Sequence, residues 1–353
     1  MLTHGGSPYC KQGTATVRER TGGIIVFVNL GKHFRLLAHI QLMPALENGE
    51  ETTLVGGQAV MEGVMMRAPH SYCTAVRKPD GEIVTEQYPI HRMSEKYPLF
   101  KLPILRGLGL LGQAMTLGVK ALKFSANAAL DDGQTDEKPV EITSKMMAAN
   151  LAVSLLGFVV LYKFIPLFLA TKLGHAVPTL GSRFAVNMSD GVIRMVMFFT
   201  FLFLLSLMPD MRRVFQYHGA EHKVVFNFES GKPVNVENAQ KFTTFHPRCG
   251  TSFLFVVLGS AMITYALLPI DGFWMKFVAR IALLPVIAGV SYEVIRFAAR
   301  RRGTLMAVLT MPGLWLQRIT TKPPDDGMAA VAIHALEGAM ALEAKQGGEL
   351  VIA

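Results

Sequence analysis

Two short stretches of this sequence carry side chains of the types that bind metal ions. Residues 217–223 read YHGAEHK, which contains the spacing H-x-x-E-H. Residues four apart lie on one face of a helix, so the imidazoles of His218 and His222 can reach the same ion. The spacing is the inverted form of the zinc-protease motif, with Glu221 beside the second histidine. We expect His218 and His222 to be metal ligands and Glu221 to be a catalytic general base.

The second stretch, residues 246–250, reads HPRCG. A histidine and a cysteine three positions apart on a turn form a suitable pair of ligands, and a thiolate favours zinc, or iron, over magnesium. We expect a divalent ion, zinc, with Cys249 or His246 as a further ligand in a near-tetrahedral site. Taken alone, Cys249 also fits an apolar filling role, and His246 fits a helix cap.

Two isolated acids are further candidates for the site. Glu62 lies in a strand-like stretch, and Glu293 lies near the end of an apolar run. An acid next to a membrane face is a candidate for function. For each acid taken singly, however, a salt bridge to a nearby arginine is the favoured interpretation.

The composition indicates a membrane protein. Of 353 residues, 51% are hydrophobic and only 17% are charged, whereas soluble domains carry about 25% charged residues. The formal charge of +9 does not require nucleic acid, because Lys and Arg collect beside membrane spans on the cytoplasmic side. Three cysteines far apart imply no disulfide framework. The expected partners are the lipid bilayer and an unknown substrate or membrane protein, and no nucleic acid.

Four apolar runs are expected to form helices that cross the hydrocarbon layer, which takes about 20 residues. They are Met147–Ala170, Val192–Met208, Ser252–Ile270 and Phe277–Tyr292. Lys163 interrupts the first run, and its long side chain can snorkel towards the interface.

The charges that flank these runs predict their orientation. Basic residues cluster before the first run, between the second and the third, and after the fourth. Basic loops stay on the cytoplasmic side. We therefore expect a cell-membrane protein (inner or plasma membrane) with both termini and segment 209–251 in the cytoplasm.

The expected fold class is an α-helical multi-pass membrane protein with about four transmembrane helices and a small cytoplasmic α+β portion. Residues 79–81 read PDG between two strand-like stretches, which is a strong hairpin signal for an antiparallel sheet. The expected segments are a poorly ordered or mis-started extension at 1–53, a β-rich unit at 54–100, an interfacial helix and polar linker at 101–146, a membrane bundle at 147–292 with 209–251 inserted, and cytoplasmic helices with a tail at 293–353.

Gly107, Gly109 and Gly112 match the spacing G-x-G-x-x-G of dinucleotide-binding loops. That motif needs a strand before it and a second strand that ends at an acid. Residues 103–130 are better interpreted as one Gly- and Leu-rich helix, in which small residues allow close helix packing.

Several stretches together resemble those of a known family. They are Val55–Arg67, Tyr217–Lys223, His246–Phe253, Ser291–Glu293 and Pro312–Gln317. The chain resembles the YqhQ-like membrane proteins, a domain-of-unknown-function family described as predicted metal-dependent enzymes. The resemblance covers about Leu54–Leu342. It implies a multi-pass membrane protein with a metal site, and it supplies no substrate.

One main hypothesis and two alternatives follow. The main hypothesis is a metal-dependent hydrolase that cleaves an amide, ester or similar bond at the cytoplasmic face of the membrane. The first alternative is a non-catalytic scaffold or regulatory protein that a closed, four-ligand metal site stabilises. The second is a transporter, which is less favoured because the spans carry few charges.

Overall fold

The computed structural model describes residues 55–91, 93–130, 143–246, 249–300 and 304–345. The expectation for residues 1–53 lies outside these ranges. The described chain is mostly helical and contains one four-stranded antiparallel sheet, whose strands pair in chain order. The strands are β1 Gly56–Val60, β2 Gly63–Arg67, β3 Ser71–Arg77 and β4 Ile83–Pro89. The small antiparallel sheet expected within segment 54–100 is therefore confirmed.

The sheet contains three hairpins, and two of them close with tight turns. Met61 and Glu62 alone join β1 to β2, and Glu62 adopts a φ of 51°. Between β3 and β4, Gly81 adopts a φ of 92°, a conformation that costs glycine little. The hairpin predicted at residues 79–81 is confirmed.

Twelve α-helices and two short 3-10 helices, Pro98–Lys101 and Pro178–Leu180, follow in the described residues. One π-helical turn, Val160–Phe164, joins α3 to α4. The helices are α1 Met93–Lys96, α2 Leu105–Leu130, α3 Ser144–Val159, α4 Ile165–Ala176, α5 Arg183–Leu207, α6 Pro209–Glu229, α7 Val236–Gln240, α8 Gly250–Leu267, α9 Phe273–Ala282, α10 Leu284–Arg300, α11 Thr304–Thr320 and α12 Asp326–Lys345.

Helices pack against both faces of the sheet. Successive side chains of a strand point to opposite faces, so Val64 and Met66 of β2 face one side and Met65 faces the other. The first face packs against α6 and α12, which contribute Val224 and Leu336 among others. The second face packs against α2. Segments far apart in the chain, including parts of 54–100, 209–251 and 293–345, thus form one hydrophobic core.

Helix α12 is apolar because it belongs to this core. Its length and hydropathy would allow it to cross a membrane, but half of its most apolar window is buried. Gly338 lies so close to β3 that a Cβ atom there would be 2.5 Å from the Cys73 sulfur. The burial of α12 on the sheet explains its composition without a membrane.

The described residues contain three helices that are long and apolar enough to cross a membrane, or four if one bent pair counts as a single span. Lys145–Ala176 is a continuous helix of 32 residues, α5 has 25 residues, and α12 is the third. Helices α9 and α10 form the bent pair, with a bend of 50°. Helix α8 is a shorter apolar helix. The expected runs in 147–208 are helical as predicted, whereas the run Phe277–Tyr292 is not one straight helix.

The prediction that Lys163 snorkels is wrong. Its side chain is only 4% exposed, and its Nζ lies 3.4 Å from the hydroxyl of Tyr265 on α8. The amine also lies over the Tyr265 ring, so an internal partner replaces the interface. Asp190, Arg194 and Arg280 are buried nearby. The few charges that the apolar helices carry are therefore buried together rather than directed towards an interface.

The glycines at the start of α2 allow close packing. A Cβ atom at Gly107 would lie 2.8 Å from Tyr292 of α10, and one at Gly109 would lie 2.7 Å from the ring of Phe100. Gly112 has no such neighbour in the described ranges. The helix expected over residues 103–130 is confirmed as α2, and the packing interpretation holds for the first two glycines.

Candidate metal centre

Helix α6 carries the H-x-x-E-H motif and lies between the sheet and the end of α11. Its buried face includes Tyr217, Val224 and Val225, which belong to the core beneath the sheet. On the other side, the Lys322 N–H donates to the Phe215 carbonyl at 2.8 Å. The motif is therefore held on a rigid helix.

His218, His222 and Cys249 come together at one point. One ligand atom from each of the three lies within 4.8 Å of the others. His218 Nε2 is 3.2 Å from the Cys249 sulfur. Cys249 directly precedes α8, so the site joins α6 to the start of the next apolar helix.

Backbone carbonyls orient both imidazoles. His218 Nδ1–H donates to the Thr320 carbonyl at 2.8 Å, and His222 Nδ1–H donates to the Thr244 carbonyl at 2.5 Å. A carbonyl can only accept, so each Nδ1 carries the proton and each Nε2 presents its lone pair. Imidazoles that bind metals are held in this way, with the second nitrogen on a carbonyl or carboxylate.

The atoms that meet here are electron-rich. Glu221 Oε2 lies 3.4 Å from His222 Nε2, and the Thr251 hydroxyl donates to the Cys249 sulfur at 3.3 Å. The site is mostly buried. It brings together two imidazole lone pairs, a sulfur and a carboxylate. The Cys249 thiol can donate its proton to His218 Nε2, and with the thiol deprotonated the same atoms could hold a metal ion.

The donor set fits a transition-metal ion. In a tetrahedral zinc site, bond lengths near 2.0–2.3 Å separate neighbouring ligand atoms by roughly 3.5 Å, close to the 3.2 Å between His218 and Cys249. Thiolate and imidazole donors suit zinc or iron rather than magnesium. Of the two alternatives for a further ligand, the geometry favours Cys249.

His246 lies next to this group but faces a different acid. Its Nε2 is 3.5 Å from Glu229 Oε2, and its ring packs on Phe226 at 4.4 Å between centroids. Burial lowers the pKa of His246 to about 4, which keeps the ring neutral near pH 7. Its backbone N–H and carbonyl pair with the Gln317 amide, both at 2.8 Å. This pairing fixes the backbone of His246 against α11.

Glu62 and Glu293 are not part of the group. Glu62 forms a two-point ion pair with Arg213 and accepts a hydrogen bond from the Tyr217 hydroxyl at 3.3 Å. Glu293 pairs with Arg106, with one contact of 2.6 Å. Both acids thus form the salt bridges that were favoured for them.

A cleft of about 390 Å³ opens at the three donor residues. Its wall consists of residues 55–59 in and before β1, part of α6 including Glu221, His246, and the start of α8. A Cβ atom at Gly57 would lie 2.9 Å from the Glu221 side chain, so glycine there leaves room for the carboxylate. This volume lies within the usual range for small-molecule sites, about 300–1,000 Å³.

The comparison with known families agrees with the sequence resemblance. The model of the family described as "Protein of unknown function (DUF1385)" matches residues 102–342. The chain belongs to the DUF1385 family. It is also 35% identical over 298 residues to "Uncharacterized protein YqhQ" of Bacillus subtilis (strain 168). That alignment covers 82% of this chain and 93% of the relative. The resemblance to the YqhQ-like proteins is therefore confirmed, and no solved structure matches the chain.

The DUF1385 region contains all three converging donors and Glu221, because they lie between residues 218 and 249. The four-stranded sheet precedes the matched region. Gly57 and the β1 wall of the cleft thus lie outside it. The centre also includes Gly57, Gln317 and the two carbonyls that anchor the histidines, none of which belongs to the motifs at 217–223 and 246–250.

Proposed function

We propose that this protein is a membrane-embedded hydrolase that uses a divalent metal ion, zinc, at the cytoplasmic face of the cell membrane. The observation that supports it most is the meeting of His218, His222 and Cys249, with Glu221 3.4 Å from His222, in a cleft of about 390 Å³. The substrate class is an amide, an ester or a similar carbonyl compound.

The residues divide into holding and reacting roles. His218, His222 and Cys249 would hold the ion, and the carbonyls of Thr320 and Thr244 fix the two imidazoles. Zinc in such a site lowers the pKa of water to about 7 and polarises a carbonyl. Glu221 accepts a proton from the attacking water and can return it to the leaving group.

The number of donors separates a hydrolase from the scaffold alternative. A structural zinc site has four protein ligands, whereas a catalytic site has three and leaves one position for water or substrate. Three donors converge among the described residues, and the nearby His246 is directed at Glu229. This arrangement favours catalysis over a purely structural ion.

A cysteine hydrolase is a second candidate, supported by one specific contact. His218 Nε2 lies 3.2 Å from the Cys249 sulfur, and the Thr320 carbonyl orients the same ring. A nucleophile, a base and a group that orients the base are the elements of nucleophilic catalysis. In this mechanism His222 and Glu221 would have no direct role, which makes the two candidates separable.

Membrane insertion is supported by the apolar helices Lys145–Ala176 and α5, each of which has only 22% of its most apolar window buried in the protein. The basic segments that flank the apolar runs predict a cytoplasmic position for α6. Leu204 and Leu207 near the end of α5 are largely exposed, as expected of side chains that face lipid.

The orientation predicts different labelling at the two ends of α5. A membrane-impermeant thiol reagent applied to intact cells should label Ser182→Cys, just before α5. It should not label Asp210→Cys, in the first turn of α6, until the cells are permeabilised. Both positions are exposed in the structure, so access to the protein surface is matched. Labelling of position 210 but not of 182 from outside would contradict the orientation.

The metal hypothesis predicts that His218→Ala and His222→Ala each lower the bound metal towards zero. Metal analysis of the purified full-length protein would measure this loss. His334→Ala is the matched control, because that histidine is exposed on α12 and should leave the metal content unchanged. Cys249→Ser should also lower the metal content, since a hydroxyl is a poor zinc ligand.

The same measurements separate the two candidates. Wild-type protein without stoichiometric transition metal would end the metal hypothesis. In that case the cysteine mechanism would replace the metal hypothesis, provided that alkylation of Cys249 abolished function and His222→Ala preserved function.

A further inference from the structure

A group of buried charges lies among the apolar helices, away from the candidate metal centre. Lys163 and Arg194 are each 4% exposed, Arg280 is 2% exposed, and Asp190 is fully buried. Asp190 lies in the first half of α5, and the ligand helix α6 begins just beyond the other end of α5. The distance along α5 is roughly 25 Å at 1.5 Å per residue.

The group contains three cations, and Asp190 pairs with two of them. Asp190 Oδ2 lies 2.7 Å from Arg194 Nη2 and 3.2 Å from Arg280 Nη2. Lys163 contacts the Tyr265 hydroxyl rather than an acid. Among the described residues, Asp190 is the only carboxylate within ion-pair distance of the two arginines.

The group therefore has an excess of positive charge that deprotonation cannot remove. Arginine does not lose its proton in proteins. Even if Lys163 were neutral, Arg194 and Arg280 would still face a single negative charge. An uncompensated buried charge is strongly unfavourable, so the excess calls for a further anion.

Arg280 carries buried N–H groups that could donate hydrogen bonds to an anion. Its Nη2 donates to Asn187 Oδ1 at 2.7 Å, but its Nε and Nη1 have no hydrogen-bond partner among the described residues. Asp190 Oδ1 also lacks a hydrogen-bond partner within the part of the chain that the structure describes. A water molecule would satisfy these atoms, but it is neutral and would not offset the charge.

A small cavity lies beside Arg280. It is lined by Asn187, Tyr265 and Lys276 among others, with Arg280 itself as one wall. The space open to the centre of a water-sized particle is about 10 Å³, which is room for roughly one such particle. Lys276 is one helical turn before Arg280 on α9, so it adds positive potential.

We propose that this cavity binds one small monovalent anion of the halide class, such as chloride. One of the two unpaired edges of the Arg280 guanidinium, Nε–H or Nη1–H, donates to the anion. The anion neutralises the excess charge of the group. Because Arg280 also contacts Asn187 and Asp190 of α5, the anion stabilises the packing of α9 on α5.

Thermal unfolding of the purified full-length protein tests the site. The protein is titrated with sodium chloride against sodium gluconate at constant ionic strength. Chloride at about 100 times its Kd should raise the apparent Tm by roughly 5–10 °C in a saturable way, and gluconate should not. Inorganic phosphate should also give no shift, because it is too large for the cavity. A Tm independent of chloride, or an equal response to phosphate, would overturn the proposal.

Variants assign the response to the charge group. Arg280→Gln should abolish the chloride-dependent shift, and persistence of the full shift would refute the site. The matched control is Arg183→Gln, an exposed arginine of α5 paired with Asp271, which should respond like wild type. Asp190→Asn removes the competing negative charge, so chloride should bind more tightly and the Tm should depend more steeply on it. Weaker or unchanged chloride binding in Asp190→Asn would contradict the proposal even if Arg280→Gln failed to fold.

Discussion

Replacing Glu221 by glutamine is expected to abolish function while the fold and the bound metal remain. Glutamine keeps the size of the side chain and most of its hydrogen bonding, but it cannot accept a proton from water. Loss of a general base typically costs about 10²–10⁴ in rate. Since His218, His222 and Cys249 remain, metal content and apparent Tm should stay close to wild type. Complementation of a strain that lacks the gene, metal analysis and thermal unfolding measure the three quantities.

Glu237→Gln is a suitable control for this variant. Glu237 lies on the exposed surface of α7 and pairs with Lys241 at 2.8 Å, so its loss should leave function intact. The scaffold alternative predicts that Glu221→Gln retains both metal and function. Loss of metal in Glu221→Gln would instead identify the carboxylate as a ligand or as a support for one. Normal function at normal expression and metal content would rule out catalysis by Glu221.

The helical part of the centre could be predicted because its signal is local. His218 and His222 are four residues apart on α6, and this spacing alone places both rings on one face. The choice between Cys249 and His246 is not local. It depends on the pairing of the His246 backbone with the Gln317 side chain of α11, which no spacing within residues 246–250 reveals. The carbonyls that orient the histidines belong to main chain, so they have no residue type to recognise.

In the fold, too, features with a local sequence signal could be predicted and features that depend on distant residues could not. The hairpin between β3 and β4 follows from turn residues such as Gly81, and the long apolar run around Lys163 does form a helix. The turn at Met61 and Glu62 has no such signal, and the expectation that Glu62 lies in a strand is wrong. The bend between α9 and α10 was missed, although Pro285 stands at the second position of α10 and is typical of a helix start. The burial of Lys163 could not be predicted, because its partner Tyr265 lies 102 residues away in the sequence. Apolar composition alone likewise does not distinguish α12, buried on the sheet, from a span.

The close contact at Gly219 predicts the largest loss of stability among single-residue changes at the centre. A Cβ atom at this position would overlap with the carbonyl oxygen of Lys322. That oxygen belongs to backbone, and Lys322 N–H is bonded to the Phe215 carbonyl, so neither segment can move away at low cost. Overpacking of this kind typically costs about 1–3 kcal/mol. Gly219→Ala should therefore lower the apparent Tm by several degrees in thermal unfolding.

The same substitution should weaken metal binding, which gives the prediction a second and independent readout. A shift of Lys322 away from α6 also moves Thr320, whose carbonyl orients the His218 ring at 2.8 Å. Loss of such an orienting contact typically costs about 10–100-fold in metal affinity. The matched control is Gly112→Ala on α2, where no atom lies within 4 Å of the added methyl group. Alanine is favoured over glycine in a helix by roughly 1 kcal/mol, so this control should be as stable as wild type or more stable. Equal stability of Gly219→Ala and Gly112→Ala would contradict the packing at α6. A loss of stability with unchanged metal affinity would instead show that the position of Thr320 does not determine how His218 binds.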